Sequence, residues 1–274
     1  MVVRVFPRRT KWTPYDDLVF IGEPPIIGRP EKSIPVYVSC TFTWDIPECE
    51  RLYRSWSDYS DNVYIGGPAF GNTGDFFRPG VFIKKGVVFT SRGCPKDCPW
   101  CFAWKREGTI KELPITDGYI VQDNNLLACS FDHVKRVFEM LQSQKHAAVF
   151  MGFDADFLTD NHVKLMENIR VDRMFLAYDN MGSTYNLEKA GELLSSYNRN
   201  QKRCYVLCNY YDNDSPIKAE KRLLKMWELG FMPFSMYYRD DSMKAPTKTK
   251  DWQDLTRIFS RPAIMRGYCN KHFG

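Results

Sequence analysis

Three cysteines lie close together in one short segment of the chain, Ser91–Phe102. Cys94, Cys98 and Cys101 are spaced C-x3-C-x2-C, and glycine and proline residues interrupt the segment. Such a loop can wrap its thiolates around one centre, and soft thiolate ligands select zinc, copper(I) or iron–sulfur clusters. The spacing therefore predicts a metal centre ligated by these three thiolates.

The sequence near this loop offers no fourth ligand of the usual kind. A structural zinc site needs a fourth cysteine or histidine to complete its tetrahedron. The next cysteine is Cys129 and the next histidine is His133, and neither belongs to a paired ligand motif. Three protein ligands leave one position open, which is typical of a centre that does chemistry. A zinc-ribbon-like nucleic-acid binder stays as an alternative, and the missing ligand counts against it.

With Trp100 directly before the third cysteine, the motif reads C-x3-C-x-aromatic-C. This pattern resembles the signature of the radical S-adenosylmethionine (SAM) superfamily. The resemblance implies that Cys94, Cys98 and Cys101 hold three irons of a [4Fe–4S] cluster, that SAM binds the fourth iron, and that Trp100 lies along the adenine. It also implies reductive cleavage of SAM, a 5′-deoxyadenosyl radical that takes hydrogen from an unidentified substrate, and an electron donor such as a flavodoxin or ferredoxin.

The resemblance covers roughly Val87–Arg239 and implies further SAM contacts at the ends of later strands. Where the family has a Gly-Gly-Glu-like turn, this chain keeps one glycine and one acid. Polar residues that end the next two strands stand where relatives contact the ribose, the carboxylate or the adenine. The implied contacts are Gly152, Phe153, Asp154, Asp179 and Asn209. A helix cap or turn role is the alternative for Asp154, Asp179 and Asn209.

Apolar strands and amphipathic helices alternate in the region that must position this loop. Such alternation predicts parallel strands joined by right-handed crossovers, in an open sheet or a barrel. The resemblance favours a partial (β/α) barrel over residues 87–274, short or partly open because five strands are predicted where the family core has six. The predicted strands are Val87–Thr90, Ala147–Met151, Met174–Ala177, Tyr205–Leu207 and Phe231–Met236.

The interval between the first two of these strands is twice as long as the others, which predicts an insertion. Within it, Thr109–Ile115 and Tyr119–Gln122 flank Asp117–Gly118, a pairing typical of a β-hairpin. A polar stretch, Gln122–Asn125, follows. We expect this insertion to lie on the functional face.

Residues 1–86 form a separate, smaller α/β unit in this interpretation. Its strand-helix-strand outline resembles a shortened Rossmann-like domain such as precedes the cluster motif in cobalamin-dependent radical SAM enzymes and methylthiotransferases. A reduced domain without cobalamin is favoured, because the segment is short and the chain has no histidine before residue 133. The predicted elements are strands Val2–Phe6, Leu18–Ile21, Val36–Phe42 and Val63–Ile65 and helix Ile46–Trp56.

Composition sets the remaining expectations. Nine cysteines and no recognisable signal peptide indicate free thiols in a reducing cytoplasm, with the six cysteines outside the loop packed mostly in the core. No apolar run reaches the ~18 residues of a membrane span. The net charge of +5 permits an anionic partner without requiring one.

Two other functions stay open at this point. One is an iron–sulfur protein without catalysis, acting as a redox sensor or scaffold. The other, within the enzyme class, is transfer of a methyl or methylthio group to nucleic acid or protein.

Overall fold

The computed structural model of the chain describes residues 1–72, 80–179, 182, 184–240 and 247–273. It divides into two units, the first comprising Met1–Val87 and the second beginning at Val88. Both are α/β units built on a parallel sheet. None of the helices that these residues form is long and apolar enough to cross a membrane.

The first unit is a four-stranded parallel sheet in the order β2-β1-β3-β4, with one helix connecting β3 to β4. This confirms the strand-helix-strand pattern predicted from the sequence. The helix follows Asp45 and has Pro47 in its first turn, where the missing proline N–H costs nothing. The elements are β1 (Val3–Phe6), β2 (Val19–Ile21), β3 (Val36–Ser39), α1 (Ile46–Ser57) and β4 (Val63–Gly66).

One face of this sheet packs on α1 and forms the core of the first unit. Alternate residues of β1 and β3 point to this face because side chains alternate along a strand. The Trp56 indole N–H donates to the Gly22 carbonyl at 3.0 Å, which satisfies the polar atom of a fully buried ring. The buried residues of this core are Val3, Val5, Val36, Val38, Cys40, Cys49, Leu52 and Trp56.

The second unit contains a six-stranded sheet in the order β12-β11-β10-β9-β8-β5 and a two-stranded antiparallel ribbon, β6–β7. Pairings from β8 through β12 are parallel, so the carboxyl ends of these strands lie along one edge. The strands are β5 (Val87–Val88), β6 (Ser91–Arg92), β7 (Lys111–Glu112), β8 (Ile120–Val121), β9 (Ala148–Phe150), β10 (Val171–Tyr178), β11 (Lys202–Cys208) and β12 (Met232–Tyr237).

Helices of the second unit bury their apolar stripes against this sheet. Three of them start at a capping side chain: the hydroxyls of Ser130, Thr159 and Ser215 each accept a backbone N–H from the first turn. The helices are α2 (Ala103–Glu107), α3 (Phe131–Gln142), α4 (Asp160–Met166), α5 (Thr184–Leu193), α6 (Pro216–Glu228), α7 (Lys250–Ile258) and α8 (Pro262–Phe273).

The prediction that Thr109–Ile115 and Tyr119–Gln122 form a β-hairpin is wrong. Ile120 and Val121 pair in parallel with Val149 and Phe150 and add a sixth strand to the main sheet, where five were predicted. These two residues are buried on both sheet faces, as a strand inside a parallel sheet requires. The other half of the expected hairpin, β7, is exposed and pairs with β6.

Candidate functional site

The cysteine loop leaves β5 at the carboxyl edge of the six-stranded sheet and is held by backbone contacts. Gly93 has a φ of +80°, and a Cβ there would lie 2.2 Å from the Thr109 carbonyl oxygen, so no larger residue fits. The Cys94 N–H donates to the Gly108 carbonyl at 3.1 Å. The Trp104 indole N–H donates to the Cys98 carbonyl at 2.9 Å. These contacts of Gly93, the Cys94 N–H and the Cys98 carbonyl therefore hold the loop through its backbone.

Exposure separates the nine cysteines into two groups. Cys94, Cys98 and Cys101 are partly exposed. The other six are buried, as the sequence predicted for packed thiols. They are Cys40, Cys49, Cys129, Cys204, Cys208 and Cys269.

The predicted metal centre at the three loop thiols is not formed as a ligand cluster here. Among the described residues, no three His, Cys, Asp or Glu side chains lie together so that they could hold a metal ion. The loop thiols still influence one another: burial, Asp179 and the other two cysteines raise the pKa of Cys98 to about 11, although Lys96 opposes them.

Lys96, inside the loop, joins it to the segment that follows β9. Its ammonium lies 2.7 Å from Asp154 Oδ2 and 2.5 Å from Asp156 Oδ2. Burial lowers the pKa of Lys96, but the hydrogen bonds to the two carboxylates outweigh burial and raise it. Lys96 is therefore a fixed positive charge beside the thiols, and Asp154, predicted as a SAM contact, lies at the cysteine loop.

Asn125, which follows β8, contacts both the loop and Asp154. Its Nδ2 donates to Asp154 Oδ2 at 3.0 Å and to Cys94 Sγ at 3.5 Å. Its Oδ1 is buried and has no hydrogen-bond partner in the described part of the chain. Sequence analysis missed Asn125, and its only signal was the polar stretch directly after the apolar pair of β8.

Asp123 anchors the start of the loop from within the same polar stretch. Its buried carboxylate accepts from the Thr90 N–H at 2.7 Å, the Thr90 hydroxyl at 2.5 Å and the Ser91 hydroxyl at 2.7 Å. Burial raises the pKa of Asp123 in spite of these bonds. Asp123 thus ties the end of β8 to Thr90 and Ser91, just before the cysteines. Like the contacts of Asn125, this role was not predicted from the sequence.

Trp100 and Asp179 meet next to the third cysteine. The Trp100 indole donates to the Asp179 carboxylate, and burial raises the pKa of Asp179 to about 6 against this bond. The Trp100 ring lies edge-on to Tyr210 and Tyr211, with centroids 5.3 and 6.0 Å away. The Tyr211 hydroxyl donates to the Asp179 carbonyl at 3.3 Å. These contacts form an aromatic wall with one half-buried carboxyl group.

The other predicted SAM contacts, Gly152, Phe153 and Asn209, differ in their local structure. A Cβ on Gly152 would lie 2.4 Å from the Asp123 carbonyl oxygen, so its backbone passes directly against the β8 segment. The Phe153 side chain is buried in the core, which leaves only its backbone at the edge. Asn209 adopts a left-handed φ of 60°, which asparagine tolerates, and its N–H donates to Asp214 Oδ2 at 2.8 Å, as a turn residue would.

No protein-family model matches the chain, and no curated protein matches it. Three partly exposed cysteines, a lysine paired with two carboxylates, the half-buried Asp179 and the rings of Trp100, Tyr210 and Tyr211 lie in or around one loop.

Proposed function

We propose that this protein is a radical SAM enzyme. In this proposal Cys94, Cys98 and Cys101 hold a [4Fe–4S] cluster, SAM is the second cofactor, and a flavodoxin or ferredoxin supplies the electron. The observation that carries the proposal is the contrast among the thiols: only these three are partly exposed, and all lie on one loop at the carboxyl edge of a parallel sheet.

The order of the strands supports a partial barrel for the second unit. From β5 to β12 the spatial order of the main sheet follows the order along the chain. When each new strand is added on the same side of the previous one, right-handed crossovers place the connecting helices on one face of the sheet, as in (β/α) barrels. Such folds carry their chemistry at the carboxyl ends of the strands. The cysteine loop occupies that end of β5.

When bound, a reduced cluster supplies one electron that breaks the C5′–S bond of SAM, giving methionine and a 5′-deoxyadenosyl radical that takes a hydrogen atom from the substrate. The chain's own residues bind and orient. Lys96 and Asp154 present opposite charges beside the loop, which suits the carboxylate and amino groups of a zwitterionic amino acid.

The aromatic wall suits the other end of SAM. Trp100, Tyr210 and Tyr211 offer ring surfaces for a purine. Asp179 lies beside them, and a carboxyl group can accept a hydrogen bond from a ribose hydroxyl. Asn125 donates to the sulfur of Cys94, which orients that thiol and tunes the centre that it binds.

The decisive experiment measures SAM cleavage. The full chain is purified without oxygen, reconstituted with iron and sulfide, reduced with dithionite and incubated with SAM, and 5′-deoxyadenosine is quantified by mass spectrometry. We expect product from the unmodified chain and none from Cys94→Ala, Cys98→Ala or Cys101→Ala. Cys204→Ala, at a buried cysteine, is the matched control and should keep both cluster and product.

Other outcomes identify the alternatives. An intact cluster without 5′-deoxyadenosine would reject the enzyme and favour a non-catalytic sensor or scaffold. Stoichiometric zinc that the three alanine variants lose, with no iron bound under anaerobic reconstitution, would reject the cluster itself.

A further inference from the structure

The four-stranded sheet of the first unit has a second face, opposite α1. Arg4, Tyr37 and Tyr64 are aligned across β1, β3 and β4 in register. Since side chains alternate along a strand, these three point away from the face that carries Val36 and Val38. The face opposite α1 thus presents two neighbouring tyrosine rings.

These rings form an exposed aromatic cluster with Phe82. Tyr37 and Tyr64 are stacked, with centroids 4.9 Å apart, and the Phe82 ring meets Tyr37 edge-on at 5.9 Å. Their side chains stay 38%, 49% and 37% exposed, respectively. Three contiguous exposed rings on a flat sheet are typical of an interaction surface, because leaving them in water forgoes the stabilisation of burial.

Two lysines flank Trp12, whose segment runs beside Lys84, two residues after Phe82. The Lys84 N–H donates to the Trp12 carbonyl at 2.8 Å, so the segments around these residues run side by side. The ammonium groups of Lys11 and Lys84 lie 4.6 and 5.1 Å from the centre of the Trp12 ring. Arg4 donates to the Val81 carbonyl at 3.1 Å, which holds the segment of Phe82 on the sheet.

We propose that this aromatic face, defined by Tyr37, Tyr64 and Phe82, binds single-stranded nucleic acid. Bases stack on the Tyr37, Tyr64 and Phe82 rings, and Lys11 and Lys84 lie close to the phosphates. Stacking on aromatic side chains together with nearby cations is how proteins bind single strands with little sequence preference. The inference goes beyond the proposed enzyme and does not depend on it, since it uses no residue of the cysteine loop.

The test is fluorescence anisotropy of labelled oligodeoxyuridine and oligouridine, each of about 20 nucleotides, titrated with the full chain at several salt concentrations. We expect binding, and the two oligomers show whether the 2′-hydroxyl matters. The double variant Tyr37→Ala/Tyr64→Ala should bind at least tenfold more weakly, whereas Tyr37→Phe/Tyr64→Phe keeps the rings and should retain affinity. Lys11→Ala/Lys84→Ala should reduce the slope of log affinity against log salt by about 1.4, or about 0.7 for each phosphate contact.

Tyr53→Ala is the matched control, because Tyr53 lies on α1, on the other side of the same unit, and is 36% exposed. An equal loss of affinity in this control, or unchanged affinity in the double alanine variant with its melting temperature preserved, would overturn the proposal. So would light scattering that shows the face joining two copies of the chain, or the absence of oligonucleotide binding at low salt.

Discussion

The carboxyl ends of the strands differ between the two parallel sheets of this protein. In the first unit the carboxyl edge is tightly packed. A Cβ on Gly67 would lie 2.4 Å from the Cys40 carbonyl oxygen, and Cys40 and Cys49 are fully buried. In the second unit the chain leaves β5 into a loop whose three cysteines are partly exposed. The same residue type is therefore fully packed at one edge and partly exposed at the other.

Polar surroundings make the same contrast. Cys40 Sγ donates to the Phe42 carbonyl at 3.4 Å, and Cys49 is the main influence that lowers the pKa of Cys40. Cys98, by contrast, lies within electrostatic range of Asp179 and Lys96, and burial together with Asp179 raises its pKa to about 11. Fully buried thiols behave as small hydrophobic groups. Architecture alone, a parallel α/β sheet, does not make a site; the side chains at its edge do.

The largest expected effect compares the two groups of cysteines. Replacing Cys94, Cys98 and Cys101 together by alanine should reduce bound iron and sulfide to background after reconstitution, because the cluster loses all its protein ligands. Cys40→Ala/Cys49→Ala should leave the iron content unchanged and lower the free energy of unfolding. Iron analysis and urea denaturation of both variants make the test, and iron retained in the triple variant would contradict the assignment.

The next largest effect is expected from substituting two glycines, one at the carboxyl edge of each sheet. Gly152→Ala would place a Cβ 2.4 Å from the Asp123 carbonyl oxygen, and Gly67→Ala would place one 2.4 Å from the Cys40 carbonyl oxygen. Each should lower the free energy of unfolding by about 1–3 kcal/mol, the usual cost of overpacking. Only Gly152→Ala should also reduce iron binding, because it displaces the segment that contacts the cysteine loop. Equal iron loss in both variants would remove the distinction between the edges.

A smaller effect is expected from the loop lysine. Lys96→Met leaves Asp154 and Asp156 without their shared cation and should slow 5′-deoxyadenosine formation about tenfold, the equivalent of about 1.4 kcal/mol and comparable to one charged hydrogen bond. Lys105→Met is the matched control, because Lys105 lies near the same loop and donates to the Pro99 carbonyl at 3.3 Å. Equal rates in the two variants would show that Lys96 has no special role.

The smallest expected effect concerns the hydrogen bond to sulfur. Asn125→Leu removes the donor to Cys94 Sγ and so destabilises the more negative, reduced state of the centre. Its reduction potential should fall by about 20–60 mV, which corresponds to one ordinary hydrogen bond for a one-electron couple. A redox titration followed by electron paramagnetic resonance measures the shift. An unchanged potential at full iron content would show that Asn125 does not tune the cluster.

Local patterns were sufficient to predict much of the fold. The helix predicted at Ile46–Trp56 and the strands on either side of it depend on residues only a few positions apart, and the structure confirms them as α1, β3 and β4. A strand was predicted at Tyr119–Gln122 with the wrong partner, because the apolar spacing of so short a segment does not show which strand lies beside it. Its neighbours in the sheet, not its own sequence, make it a parallel strand.

By itself, the sequence determined the alternation of strands and helices and the placement of three cysteines on one short loop, because both are set by spacing along the chain. Only the tertiary structure decided which residues surround that loop. Lys96 meets Asp156 across 60 residues and Asn125 meets Asp154 across 29. Long-range contacts also decide which thiols are buried, since burial depends on elements brought together only when the sheet assembles.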